Sequence, residues 1–168
     1  MRKYRWVGTL AFLAVAIASL ACSRQAAHAD SAFAAMQQRG GMAMGVDQYS
    51  STHRFDASPD GGRIELQRDV DDTLGVEQIR THMKMLKHSF EAGDFSTPEF
   101  VHMKTMPGTT VMAERRATIT YAYHELPRGA ELRMTSSDPA AVAAIHEFMA
   151  AQRNEHHAMG HDSTTTSR

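Results

Sequence analysis

Apolar residues recur with helical spacing in two stretches of the chain. In the first, near residues 75–92, large apolar residues follow one another at steps of four, three and four, which is one face of an α-helix. They are Ile79, Met83, Leu86 and Phe90. In the second stretch, Asp138 suits an N-cap and Pro139 suits the first helical position. A second helix is therefore predicted from Pro139 to about residue 156.

Alternation of apolar and polar residues before each predicted helix indicates two pairs of strands. The strands are expected near residues 51–57, 63–69, 117–125 and 130–136. A Pro-x-Gly turn joins the strands of each pair, at Pro59 and again at Pro127. Both halves therefore match one repeated ββα pattern. We predict an α+β fold in which two ββα units form a four-stranded antiparallel sheet with two helices on one face.

Two segments outside this repeat carry candidate functional residues. Residues 95–116 make a long connection between the halves, and long connections often carry function. Within it, residues 98–103 are predicted to be extended and residues 110–116 to form a short helix. Residues 30–50 are rich in Ala, Gln and Gly, which predicts a flexible lead-in. Its Met-Ala-Met sequence belongs either to a loose linker or to an ordered lid that carries two sulfurs.

Basic residues followed by an apolar run open the chain, which is typical of a secretory signal peptide over residues 1–29. The run is short for a membrane span. Two kinds of processing remain open, namely cleavage after Ala29 at an Ala-x-Ala site and lipidation of Cys22. The first predicts a periplasmic or secreted protein, and only the second predicts a membrane anchor.

Composition limits what the remaining chain can be. One α+β domain is predicted over residues 51–157, followed by a disordered tail over residues 158–168. The chain has a net charge of −1, and loss of the basic leader would make it more acidic, which argues against nucleic acid as a partner. Because Cys22 is the only cysteine, we expect no disulfide, thiolate metal site or cysteine nucleophile in the domain.

Methionine and histidine are abundant, with 12 and 10 residues respectively. Thioethers favour Cu(I), and imidazoles also bind Cu(II) and Zn(II). His82 and Met85 lie three residues apart on the flank of the first helix, and His146 and Met149 repeat that spacing on the second. If the helices lie side by side, these side chains converge in the groove between them. The alternative is that the methionines belong to the core and each histidine hydrogen-bonds a backbone carbonyl.

Three further histidines are candidate metal ligands. His53 lies on the first strand, His102 on the long connection, and His156 at the start of a dense His/Met cluster after the second helix. Their structural alternatives are a packed or exposed strand histidine, a connection residue and a solvated tail. The chain has no G-x-S-x-G, P-loop, dinucleotide fingerprint, H-E-x-x-H or EF-hand loop, so no motif in it predicts an enzyme.

Several short motifs together resemble a family of small exported bacterial proteins. They are Gly41-Met-Ala-Met-Gly-Val-Asp-Gln48, Thr52-His53-x-Phe55, Gly61-Gly62, Ile79-Arg80-x-His82, Gly93-Asp94-Phe95, Pro107-Gly108 with Met112, and His146-x-Phe148 with Glu155-His156. The family pattern has a second histidine after His53, where this chain has Arg54. Members are sometimes labelled aspartate carbamoyltransferase, but the chain lacks the Ser-Thr-Arg-Thr-Arg phosphate loop of that enzyme. The resemblance implies the limits of the domain and no activity.

Taken together, these patterns favour an exported metal-binding protein, with copper as the preferred metal, acting as a buffer or carrier and not as an enzyme. Its expected ligands are His82, His146 and His156, with Met85 and Met149 as soft partners. The alternative is a cell-envelope module that binds a protein partner or a small apolar ligand through a Met-rich face.

Overall fold

The computed structural model describes residues 30–158. The predicted signal peptide with Cys22, and the tail from residue 159 onward, lie outside the described residues. Contacts divide the chain into two units after Ala35. Of the first unit only residues 30–35 are described, and they are helical. The second unit begins at Met36 and contains the described strands.

Four antiparallel strands form one sheet in the order β1-β2-β4-β3. They are β1 (Ser51–Ser58), β2 (Gly61–Arg68), β3 (Ile119–Leu126) and β4 (Gly129–Ser136). The two hairpins join through β2 and β4, where Ile64 pairs with Leu132. Phe55 pairs with Ile64 and Tyr123 with Leu132, which makes a row of apolar side chains across one face. The opposite face carries charged side chains that form ion pairs.

Among the described residues of the second unit, five α-helices accompany the sheet. They are α1 (residues 36–44), α2 (Thr73–Ala92), α3 (Ser96–His102), α4 (Thr109–Glu114) and α5 (Pro139–Glu155). The side chain of Asp72 accepts the N–H of Gly75 to cap α2, and Asp138 accepts the N–H of Ala140 to cap α5. No helix within residues 30–158 is both long and apolar enough to cross a membrane.

The two halves of the sheet repeat closely, which confirms the predicted fold class. The strands β3 and β4 begin 68 positions after β1 and β2, and α5 begins 66 positions after α2. Each helix covers mainly the hairpin of the other half, because α2 packs on β3 and β4 while α5 packs on β1 and β2. The buried core lies between this pair of helices and the apolar face of the sheet.

The lead-in is more ordered than its composition predicts. Residues 30–44 are helical instead of flexible, and Met44 and Val46 are buried. Arg39 donates a hydrogen bond from Nε to the Val101 carbonyl at 2.8 Å, which ties α1 to α3. The error has a physical cause, since Ala, Gln and Met are also strong helix formers once one helix face can be buried.

The connection between the halves also departs from its prediction. Residues 98–103 were expected to be extended, but α3 covers Ser96–His102, so this prediction is wrong. Pro98 lies in the first turn of α3, where its missing N–H breaks no helical hydrogen bond. The short helix predicted near residues 110–116 is confirmed as α4.

Candidate functional site

A cavity of about 80 Å³ lies between the start of β1, the middle of α2 and the end of α5, with α1 and α3 closing its sides. Most of its lining is apolar and includes the rings of Phe55, Phe90 and Phe148. Four histidines also line it, namely His53, His82, His102 and His156. Four of the seven predicted site residues therefore meet at one place.

His82 reaches this cavity from α2 and is buried. Burial lowers the pKa of His82 to about 4, and a hydrogen bond to the backbone of Ala43 offsets only part of that effect. The ring is therefore neutral at physiological pH. Its Nδ1 is shielded from solvent and has no hydrogen-bond partner among the described residues. A neutral imidazole that donates from its other nitrogen keeps a free lone pair on Nδ1.

His53 and His156 form a stacked pair beside it, with ring centroids 5.2 Å apart and planes 14° from parallel. Burial, with a smaller contribution from neighbouring histidines, lowers the pKa of His53 to about 4 and that of His156 to about 3. The Nε2 of His53 and the Nδ1 of His156 are shielded and find no partner within residues 30–158. Three neutral imidazoles, each with one unpaired nitrogen, thus surround the cavity.

His102 differs from the other three because both of its ring nitrogens are engaged. Its Nδ1 lies 2.7 Å from Glu155 Oε2, and its Nε2 lies 3.1 Å from Gln152 Oε1. Burial raises the pKa of Glu155, but hydrogen bonds from Lys104 and His102 hold it below its usual value. His102 therefore anchors the last turn of α5, next to the ring of His156 at 5.0 Å.

The repeat has aromatic residues at the three positions that correspond to these histidines, two in its second half and one in its first. The pairs are His53 and Tyr121, His82 and Phe148, and His156 and Phe90. Phe90 lies 6.1 Å from both Tyr121 and Phe148, with the rings in edge-on contact within the core. Aromatic rings therefore satisfy the packing at these positions. Among the described residues, this aromatic cluster leaves one shielded polar atom without a partner, the Tyr121 hydroxyl, against three imidazole nitrogens around the cavity. Each such atom costs about 1–3 kcal/mol, so packing alone does not explain three histidines.

His146 does not line the cavity. Its Nε2 donates a hydrogen bond to the Ser58 carbonyl at 2.8 Å, at the far end of β1. Ser58 is five residues from His53, which corresponds to roughly 17 Å along an extended strand. The predicted convergence of His146 with His82 is therefore not formed, and His146 follows the structural alternative of a histidine bound to a backbone carbonyl.

The repeat explains this role of His146. The corresponding residue of α2 is Arg80, which donates from Nε to the Gly129 carbonyl and from Nη2 to the Leu126 carbonyl. Both side chains tie a helix to the hairpin turn of the opposite half. His146 thus does with one hydrogen bond what Arg80 does with two.

The two methionines of the predicted groove are also outside the cavity. Met149 is fully buried in the core, where a Cβ atom on Gly62 would lie 2.9 Å from its Cγ. Met85 is 55% exposed on the surface of α2. Of the four residues expected to share that groove, only His82 reaches the cavity.

Sequence reasoning missed the contribution of α1 to the site. Met44 lines the cavity, and the small residues Gly40 and Ala43 leave room beside it. The Nε2 of Gln48 lies 3.8 Å from the Met44 sulfur. The available signal was the Met-Ala-Met sequence, for which an ordered lid with two sulfurs was one of two alternatives. Only Met44 faces the site, since Met42 is 63% exposed.

The arrangement is not a preformed chelate. Within residues 30–158, no three side chains of His, Cys, Asp or Glu are placed to hold one metal ion together. The stacked rings of His53 and His156 must turn before their free nitrogens can share an ion, because each metal–nitrogen bond is only about 2.0 Å long. Comparison of the chain with protein-family models, curated proteins and solved structures finds no match. The chemistry of the cavity therefore has to be inferred from its own residues.

Proposed function

We propose that the protein is an exported copper-binding protein that buffers or carries Cu(I) in this cavity without turnover. Its ligands are His53, His82 and His156, with Met44 as a nearby thioether. One observation carries the proposal: each of the three imidazoles presents a shielded nitrogen with no hydrogen-bond partner. Buried polar atoms are nearly always paired, and a bound ion is one way to pair them.

The donor set favours a soft monovalent ion over a divalent one. The residues that line the cavity include histidine and methionine but neither Asp nor Glu. Without a carboxylate, a divalent ion would keep its full charge in an apolar environment, which is costly. Cu(I) carries one charge, accepts low coordination numbers and is preferred by thioether ligands.

Binding requires local movement that the fold allows. His156 is the C-cap residue of α5, after which the regular helix ends. Its ring can therefore leave the stack on His53 without breaking a helical turn. The firm attachment of the preceding residue, Glu155, to His102 limits the movement to the last residue of the helix.

The test replaces two of the histidines by the residues found at the corresponding positions of the repeat. Purified protein is titrated with Cu(I) in competition with bicinchoninate, alongside a variant that combines His53→Tyr with His156→Phe. The variant should bind Cu(I) at least about 100-fold more weakly. Removing a residue that only hydrogen-bonds a metal ligand already costs about 10–100-fold in affinity, and removing a ligand itself should cost more. His124→Ala, an exposed histidine on the opposite sheet face, is the matched control. Unchanged affinity in the double variant, or no binding by the wild type, overturns the proposal.

A small apolar ligand is the second candidate, favoured by the aromatic and aliphatic lining. Dry apolar cavities in proteins take up xenon or small hydrocarbons. His82→Leu separates the two candidates, because it removes a nitrogen while keeping the lining apolar. Copper binding should fall in this variant, whereas xenon binding, followed by ¹²⁹Xe NMR, should persist if the cavity is an apolar ligand site.

A further inference from the structure

His82 lies on the boundary between the cavity and the protein surface. A groove of about 630 Å³ runs between α2 and α3, and a smaller depression of about 250 Å³ adjoins it near α1. His82 and Ala43 line the cavity, the groove and the depression alike. Leu86 and Thr97 form the rest of the wall that the cavity shares with the groove. Met44 lines the cavity and the depression as well, so His82 is the one histidine that borders both the surface features and the cavity among the described residues.

Met85 is the soft donor on the outer side of this wall. It is 55% exposed and lines both the groove and the depression, but not the cavity. Residues three apart on a helix are neighbours, with Cβ atoms about 5–6 Å from each other, so Met85 stands next to His82. The two donors therefore lie in sequence from solvent to cavity.

We infer that Met85 is the uptake ligand of the copper site, an inference that rests on the proposed function. Cu(I) first binds the Met85 sulfur in the groove. The Cu–S bond then breaks as a Cu–N bond forms with Nδ1 of His82. No electron moves, and no proton has to leave, because Nδ1 already has a free lone pair. Met85 therefore controls the rate of uptake and has no part in the final affinity.

The chain offers its own comparison for this role. Met42 and Met103 are 63% and 69% exposed, so each is at least as accessible as Met85. Neither lines the cavity, the groove or the depression. If exposure of a thioether alone were enough, all three methionines would contribute equally to uptake. If position beside His82 matters, only Met85 does.

The decisive measurement separates rate from affinity. Metal-free protein is mixed with Cu(I)–bicinchoninate in a stopped-flow instrument, and loss of the coloured complex reports uptake. Met85→Leu should take up copper about tenfold more slowly, as expected for the loss of one helpful ligand on the path. Its equilibrium affinity should match that of the wild type. The control variant Met103→Leu should match the wild type in both uptake rate and equilibrium affinity. The inference is overturned if Met85→Leu takes up copper at the wild-type rate, or if its affinity falls as much as its uptake rate.

A second readout shows whether the outer position binds on its own. Ag(I), a redox-stable substitute for Cu(I), is added to protein labelled with ¹³C at the methionine methyl groups. In the variant with His53→Tyr and His156→Phe, the Met85 signal should still respond while the Met44 signal does not. An unresponsive Met85 overturns the inference even if wild-type copper binding is intact. If the wild type itself binds no Cu(I), the proposed function fails, and that result is separate from the rate comparison.

Discussion

The repeat places two clusters of three side chains at equivalent positions of a shared backbone, one of aromatic residues and one of histidines. Where β3 and α2 meet, Tyr121 and Phe90 belong to a closed aromatic cluster. Where β1 and α5 meet, His53 and His156 stack beside a cavity and leave a nitrogen unpaired on each ring. The aromatic cluster thus shows one way to pack these positions. Burial of unpaired nitrogens is costly, so we expect the histidine cluster to be the less stable arrangement.

The largest effect on stability should come from placing a histidine in the aromatic cluster of Phe90, Tyr121 and Phe148. Phe90 is fully buried and contacts three other rings, so Phe90→His leaves both a packing defect and an unpaired nitrogen. We expect a loss of about 3–5 kcal/mol in the free energy of unfolding, similar to truncation of a buried Phe. Urea unfolding followed by circular dichroism measures it. A loss below about 1 kcal/mol would show that the aromatic cluster tolerates a histidine, and the two clusters would then no longer differ in what their packing requires.

The three buried histidines around the cavity should also make the stability of the protein depend on pH. The pKa of His53, His82 and His156 lies far below the ordinary value of 6.5 in the folded chain, chiefly because of burial. As pH falls, the unfolded chain therefore takes up protons first. Their contribution to stability is complete above pH 6.5 and is lost as pH falls towards about 4.

Urea midpoints of the metal-free protein at about pH 7 and about pH 4.5 measure this loss. The variant that combines His53→Tyr with His156→Phe should lose clearly less stability over the same interval, because two of the three groups are gone. Equal losses in both proteins would assign the pH dependence to carboxylates such as Asp60 and Asp138, whose pKa values are lowered by hydrogen bonds.

At neutral pH the same double variant should be more stable than the wild type. The larger rings fill part of the cavity, and His156→Phe removes one unpaired nitrogen outright. His53→Tyr exchanges the other for a hydroxyl, which on the corresponding Tyr121 has no partner among the described residues, so a gain of about 1 kcal/mol is expected. Thermal unfolding of the metal-free proteins gives the comparison. A destabilised variant would mean that histidines pack better here than the aromatic residue types at the corresponding positions. That result would contradict the proposal that the histidines serve binding at the expense of stability.

Smaller effects should follow at the positions that tie each helix to the opposite hairpin. Arg80→Ala removes two charge-assisted hydrogen bonds to the hairpin, together with the partly exposed ion pairs to Glu77 and Glu125, and should cost about 1.5–3 kcal/mol. His146→Ala removes one hydrogen bond and should cost about 1 kcal/mol. Neither variant should change Cu(I) affinity. A large loss of affinity in His146→Ala, without unfolding, would return His146 to the metal site and would break the correspondence with Arg80.

Periodicity was enough to predict most of the fold. The strands alternate, Ile79 and Met83 follow helical spacing, and Asp138 with Pro139 marks a helix start, so these elements depend on local signals. The ordering of α1 was not predictable in this way. Its residues have weak amphipathic character, and its position depends on contacts such as Arg39 with the Val101 carbonyl, which are formed only in the folded chain.

The site was predicted in part, and the error came from pairing the two histidines by their equal spacing to a methionine instead of by the register of the repeat. His53, His82 and His156 were recognised as donors, but His82 was matched with His146. The loop before the second helix is two residues shorter than the loop before the first, and the correct partner of His82 is Phe148. A comparison of the halves position by position would have found three histidines opposite three aromatic residues. The cavity itself depends on α1 and α3 and could not be derived from the repeat.

The exchange of helices between the halves has a consequence for biosynthesis. Because α5 makes most of the helix contacts of β1 and β2, the apolar face of the first hairpin is fully covered only after the last helix has been synthesised. Both hairpins and both helices share one core, so the N-terminal half expressed alone should expose part of that face.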